Sequence, residues 1–209
     1  MHKFWNVRDV LSLIRSFIPR RFLKLGSVHI IAIDLHSTKA PRLEVAGIRS
    51  ASQADIDALI ASFTTRDVLD RGSQTWVAEQ AGELVAYDIS GAEAKRISDF
   101  IQLKAPERDT WAIHIWVSPA ARGQGLAMQL RLRVAAEFRD QGVNRLLGTI
   151  SATNERSIRA FEKMGAKFIG RIHFAWLCGF AVVWFEGRLR LGYWTGRTPL
   201  TLGISMGAK

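Results

Sequence analysis

The residues "WAIHIWVSPAARGQGLAMQLRLRVAAEF", Trp111 to Phe138, constrain this chain more than any other stretch. A largely apolar run, Trp111 to Val117, breaks at Ser118-Pro119 and reads as a strand covered on both faces. From Leu126 to about Gln141, Leu130, Val134 and Phe138 recur at helical spacing, and Gly142 supplies a stop. Between strand and helix stands Ala121-Arg122-Gly123-Gln124-Gly125-Leu126-Ala127. The first amides of a helix have no partner within it, and the helix dipole adds positive potential there. Gly123 and Gly125 permit positive φ and close approach of a ligand, and Arg122 adds a fixed cation. The turn is therefore a candidate cradle for a diphosphate. Taken alone it is equally an ordinary helix start. A nucleotide P-loop needs Gly-Lys-Ser/Thr where Gly125-Leu126-Ala127 stands, and the dinucleotide fingerprint needs a third glycine where Met128 stands. A different phosphate ligand is wanted.

Strand and helix patterns alternate around this unit. "LEVAGIRS" (43–50) reads as a strand and "SQADIDALIASF" (52–63) as a helix capped by Ser52 and Asp55, with Ile56, Leu59, Ile60 and Phe63 inward. "TWVAEQAGELVAYDI" (75–89) reads as a hairpin turning at Ala81-Gly82. "VNRLLGTIS" (143–151) is a further strand, and Asn154 caps a helix whose Ile158, Phe161 and Met164 share one side before Gly165. "KFIGRIHFAW" and "FAVVWFEGRL" supply two more strands, joined near Cys178-Gly179. Together these elements predict an α/β domain with a mixed sheet flanked by helices.

Residues 1–42 read as a basic amphipathic extension, 43–191 as the main domain and 192–209 as a tail with no assigned role. In the extension Phe4, Val7, Leu11, Ile14 and Ile18 follow helical spacing, with Val10 and Phe17 beside them. Lys3, Arg8, Arg15, Arg20, Arg21 and Lys24 face a single acid, Asp9. Such a helix packs on its own domain, lies on an anionic lipid surface or docks on a partner. "VHIIAIDL" (28–35) is an extra strand, and 36–42 a linker.

Hydrophobic content of 48% with 23% charged residues describes a globular chain. The net charge of +10 is dispersed, with no nucleic-acid module, so solvated surface is expected and no nucleic-acid partner. The single cysteine, Cys178, excludes an internal disulfide framework and fits a reducing compartment; among apolar neighbours it reads as structural. No run approaches the ~18 apolar residues of a membrane span, and Arg8, Asp9 and Arg15 interrupt any secretory pattern. A cytoplasmic location is the expectation. No metal is implied.

The segment Arg122 to Ala127 resembles the R/Q-x-x-G-x-G/A signature of the GNAT superfamily of acyl-CoA-dependent N-acetyltransferases. "NERSIRAFEKMGAKFIG" resembles that superfamily's downstream segment, with Asn154, Ser157, Phe161, Lys163 and Gly165 at matching spacing. The resemblance spans roughly Leu43 to Leu189. It implies a single GNAT-like domain with a mixed, mostly antiparallel sheet, acetyl-CoA as donor and a primary amine as acceptor. It further implies that amides of Arg122, Gly123, Gln124, Gly125, Leu126 and Ala127 hold the CoA diphosphate. Trp116 and Val117 would offer main-chain groups to the pantetheine arm where two strands splay apart, and a main-chain amide near Val117 would stabilise the oxyanion. Asn154 would bond the pantetheine or an ordered water, and Ser157 and Phe161 would line the cofactor side of their helix.

Two departures bear on catalysis. Many relatives carry tyrosine, a proton donor to the leaving thiolate, where Phe161 stands. Many also carry a base on the central strand at the parity of Trp111 or Ile113; here His114 is the titratable residue, and strand alternation groups it with Ala112 and Trp116. Glu79, Asp88 and a water relay are the other base candidates. The alternatives to an enzyme are a CoA-binding module with little turnover, or a membrane- or partner-associated protein led by its basic N-terminal helix.

Overall fold

The computed structural model describes residues 23–37, 47–62, 73–193 and 199–204. The amphipathic stripe of residues 4–18, the linker residues 38–42, the first half of the strand expected at 43–50, Phe63 and residues 205–209 lie outside them. In chain order the strands are β1 (Leu23–Asp34), β2 (Ile48–Ser50), β3 (Gln74–Gln80), β4 (Glu83–Ala92), β5 (Ala94–Ser98), β6 (Ile101–Lys104), β7 (Asp109–Val117), β8 (Arg145–Ser151), β9 (Lys167–Leu177), β10 (Phe180–Phe185), β11 (Arg188–Tyr193) and β12 (Leu200–Gly203). The helices are α1 (Gln53–Ser62), α2 (Leu126–Asp140) and α3 (Glu155–Lys163), with a 3-10 turn at Pro119–Ala121.

A nine-stranded sheet in the order β11-β10-β9-β1-β8-β7-β4-β3-β2 forms the middle layer. Its neighbours pair antiparallel except β7 with β8. On one face α2 and the core-facing residues of α3 bury Leu126, Leu130, Val134, Phe138 and Met164 against Ile33, Trp76, Ala112 and Leu146. On the other, α1 places Leu59 over Val77, Tyr87 and Ile89. A three-stranded sheet, β12-β6-β5, covers the rest of that face.

Local chemistry accounts for the boundaries. The Ser52 amide donates to Asp55 Oδ2 at 2.7 Å and the Asp55 amide to Ser52 Oγ at 3.3 Å, the reciprocal box expected at the start of α1. Ala81 and Gly82 both take positive φ, so the β3–β4 turn matches the twist of its strands. Gly142, at φ 81°, ends α2, and the Val143 amide returns to the Phe138 carbonyl at 3.0 Å.

Four features differ from the sequence expectations. The strand placed ahead of the main domain is β1, and it lies inside the sheet between β8 and β9. Ile30 and Ala32 join one core cluster and Ile33 and Leu35 the other, which explains an uninterrupted apolar run. Residues 90–109, where the sequence pattern gave no element, hold β5 and β6, and the tail returns as β12 parallel to β6. Cys178 is not a packed core residue: it sits exposed in the β9–β10 turn at φ 47°. Finally, a bulge breaks the alternation of β7, because Ile89 pairs with His114 but Ser90 pairs with Ala112. Ala112 therefore faces α2, while His114 and Trp116 face Tyr87 on the opposite side.

Candidate functional site

β7 and β8 run together at Asp109–Arg145, Thr110–Leu146 and Trp111–Leu147, and no pairing between them continues beyond that point. At the closed end Arg145 holds both carboxylate oxygens of Asp109, at 3.1 and 2.6 Å. At the open end lies a cleft of about 850 Å³. Its walls are the last residues of β7, the turn into α2, and one side of α3. Trp116, Val117, Arg122, Gly123, Gly125, Leu126, Ala127, Asn154 and Ser157 all line it. Gln124 is exposed outside the lining, and Phe161 turns away to pack against the core beneath α2. The expectation that Phe161 lines the cofactor side is thus corrected: on α3 the cleft side belongs to Arg156, Arg159, Ala160 and Lys163.

The turn has free donors. Gly125 caps α2 at φ 74° without a side-chain cap, and the Met128 and Gln129 amides return to its carbonyl at 3.0 and 3.1 Å. The Arg122 amide reaches the Pro119 carbonyl at 3.4 Å. Among the described residues, the amides of Gly123, Gln124, Gly125, Leu126 and Ala127 have no main-chain acceptor. A Cβ built on Gly123 or Gly125 meets nothing within 4 Å, so these glycines answer to their φ of 87° and 74° and to the open space above them. Arg122 Nε donates to the Val117 carbonyl at 3.1 Å.

The facing wall is cationic. Arg156, Arg159 and Lys163 recur at i, i+3 and i+7 on α3, one side of a helix, and with Arg122 they make the charged lining wholly positive. That helical spacing was present in the sequence as a signal for these residues. Asn154 caps α3 by accepting from the Ser157 amide at 3.1 Å through Oδ1, which leaves its side-chain NH2 for the cleft.

The base candidates separate by environment. Glu79 is tied to Arg49 at 3.1 Å on the outer part of the sheet. Asp88 is fully buried between Arg131 at 3.0 Å and the Ser90 hydroxyl at 2.6 Å, and burial pushes its carboxyl up against the pull of Arg131. Neither faces the cleft. His114 keeps solvent contact and stacks on Tyr87, ring centroids 5.5 Å apart. It is not in the cleft lining; it lies on the other side of β7, towards α1 and the small sheet. Desolvation, then the charges of Lys95 and Arg131, hold its imidazole below the usual histidine range, which favours the uncharged ring. Lys95, which the sequence did not single out, comes from β5 and donates to the Ala112 carbonyl at 2.6 Å beside the bulge. Burial, helped by Arg131, pushes its ammonium down to about 7.

The family model described as "Acetyltransferase (GNAT) family" matches residues 42–166. The mouse protein "Probable N-acetyltransferase family 8 member 5" is 29% identical over 125 residues, which are 58% of this chain and 52% of that protein. The chain thus spans about half the length of this curated relative. A solved protein of Novosphingobium aromaticivorans, assigned to the GNAT family, superposes with a TM-score of 0.54 at 17% identity, covering 77% of this chain and 68% of the other. A GCN5-related N-acetyltransferase from Sphaerobacter thermophilus gives 0.51 at 15% identity, covering 93% and 58%. At these identities the structural likeness is one of fold.

Proposed function

The chain belongs to the acetyltransferase (GNAT) family, and from that premise we propose that it transfers an acetyl group from acetyl-CoA to a primary amine within a ternary complex. The observation that carries this reading is the row of unpartnered amides from Gly123 to Ala127 at the mouth of a cleft whose charged side chains are all cations. A diphosphate fits that cradle, with bare NH groups and the α2 dipole on one side and Arg122 beside them. Arg156, Arg159 and Lys163 answer a second, outlying phosphate such as CoA carries.

Bound acetyl-CoA supplies an activated thioester carbonyl. The chain's own residues supply position and a proton acceptor. Trp116 and Val117 form the strand wall along which the pantetheine arm extends, and the Asn154 NH2 bonds an acceptor on that arm. An alkylammonium cannot attack until it loses a proton. His114, held towards its neutral form and on the far side of β7 from the diphosphate cradle, accepts that proton from the incoming amine. Holding amine and thioester in one site supplies much of the remaining acceleration. Phe161 donates nothing, so the leaving thiolate takes its proton from water or from the acceptor.

One observation favours a second reading: Phe161, on the side of α3 turned to the core, provides no acid at all. A CoA-binding module with little turnover would look the same. Thiol release measured across a panel of primary amines separates the two. Turnover above the background hydrolysis of acetyl-CoA supports the transferase, and saturable binding without turnover supports the module.

A further inference from the structure

The outer hairpin presents an apolar face. Pairing sets Phe180 opposite Tyr193, Val182 opposite Leu191 and Trp184 opposite Leu189, while Leu177 of β9 pairs with Phe180. Directly opposed residues project to the same side of a sheet. The alternate residues Ala181, Val183 and Phe185 point the other way, into the core beneath the small sheet. The outward set stays open to solvent, with Phe180 65%, Leu191 72% and Tyr193 66% exposed. Phe180 and Tyr193 meet edge to face, centroids 5.2 Å apart, so the rings at this corner support each other.

Size and charge say what covers it. At roughly 200 Å² for a fully exposed side chain of this kind, the open fractions of the seven outward residues come to about 800 Å². The largest apolar patch on a typical monomer covers only about 300–600 Å². Each partner in a standard interface contributes about 800 Å². A second copy of the same face supplies the matching area. A contact between like copies also sets each charge near its own kind, so its centre has to be uncharged. The pairing meets that demand. Arg188 opposes Phe185 and Arg190 opposes Val183, so both arginines project away from the apolar face. Lys24 opposes Trp176 and bonds Asp99, again on the far side. On the face itself, Arg171 lies two residues beyond His173, the partner of Trp184, and turns to His29, Nη2 to Nε2 2.9 Å. An anionic lipid surface would instead be met by cations ringing the aromatics. We propose that two copies of this chain pack face to face across a two-fold axis through Leu177, Phe180, Val182, Trp184, Leu191 and Tyr193, giving a homodimer.

Sedimentation equilibrium of the full chain reads the association directly. Interfaces of this size hold with a Kd of about micromolar or below, so the chain should be dimeric at ~10 μM. Leu191→Glu puts a carboxylate into the contact and should weaken dimerisation at least about 100-fold. Arg190→Glu, one residue back on the same strand and on its other side, should change it less than about threefold. Phe180→Ser gives a second reading without an added charge and should also weaken the dimer at least about tenfold. Far-UV circular dichroism checks that each variant is folded. A monomer up to ~100 μM overturns the proposal. So does a dimer that responds equally to Leu191→Glu and Arg190→Glu, because the contact then lies elsewhere. A chain that stays monomeric in solution, yet pellets with anionic vesicles and loses that binding as Leu191→Glu, overturns it in favour of a lipid surface. None of these readouts depends on acyl transfer.

Discussion

Arg122 reaches back from the glycine turn to the last residue of β7, its Nε 3.1 Å from the Val117 carbonyl. The strand that borders the cleft and the turn that opens α2 are thereby joined by one side chain, itself part of the cleft lining. Arg122→Ala removes both the tie and a cation. Hydrogen bonds to charged groups contribute ~1.5–3 kcal/mol, so the KM for acetyl-CoA should rise by roughly tenfold or more, with a smaller effect on kcat. Steady-state kinetics checks this, and an unchanged KM would remove Arg122 from the cradle.

The position of His114 predicts a pH profile. Its imidazole is held below the usual histidine range by desolvation and by Lys95 and Arg131, so the neutral, proton-accepting form persists to lower pH than in a free histidine. The acid limb of kcat/KM should therefore fall below pH 6.5. Lys95→Met removes a neighbouring positive charge and should move that limb upward, whereas His114→Gln should abolish it. An acid limb insensitive to both variants excludes His114 as the base.

Asp88 and Arg131 form a buried ion pair, 0% and 2% exposed. Asp88→Ala leaves an uncompensated guanidinium in the core and should cost about 3–5 kcal/mol of stability. Asp88→Leu with Arg131→Met removes both charges and should recover most of that loss. Urea unfolding with unchanged slopes is the measurement, and additive losses in the double variant would show that the two residues are not coupled.

Lys95 links stability to pH. Burial and the nearby Arg131 charge push its ammonium down to about 7 in the folded chain, from an ordinary 10.5 in the unfolded one. Between those values the unfolded chain holds a proton that the folded chain has released, so this group makes stability rise with pH across that window and contributes no slope below it. Relative to Lys95→Met, the native chain should gain stability from pH 7 towards pH 10. Parallel profiles for the two proteins would contradict the shift.

The elements legible in the sequence were those with strong local signals. The Ser52–Asp55 box, the Ala81-Gly82 turn, the Leu130, Val134 and Phe138 row, and the Asn154 cap each rest on neighbouring residues, and each recurs in the fold. What escaped notice depends on distant chain. β1 looks peripheral until β8 and β9 are seen to flank it, and β6 buries only Ile101 and Leu103 in a short run, too brief for a period-2 signal. The bulge at Ile113 leaves no mark in composition, yet it moves His114 to the opposite face from Ala112. At the site, the glycine turn was readable because helix ends impose their own electrostatics. The cations of α3 were readable in principle by spacing, and Lys95 was not, since only β5 brings it to the bulge.

Calorimetric titration of acetyl-CoA into the native chain and into Gly125→Ala tests the diphosphate cradle most directly. A Cβ at residue 125 meets no protein atom within 4 Å, while φ 74° strains it by only ~1–2 kcal/mol, so the variant should stay folded. The native chain should bind with a Kd on the order of micromolar, and the variant at least about tenfold more weakly. No heat at millimolar acetyl-CoA, or equal affinity in a folded variant, would contradict the assignment.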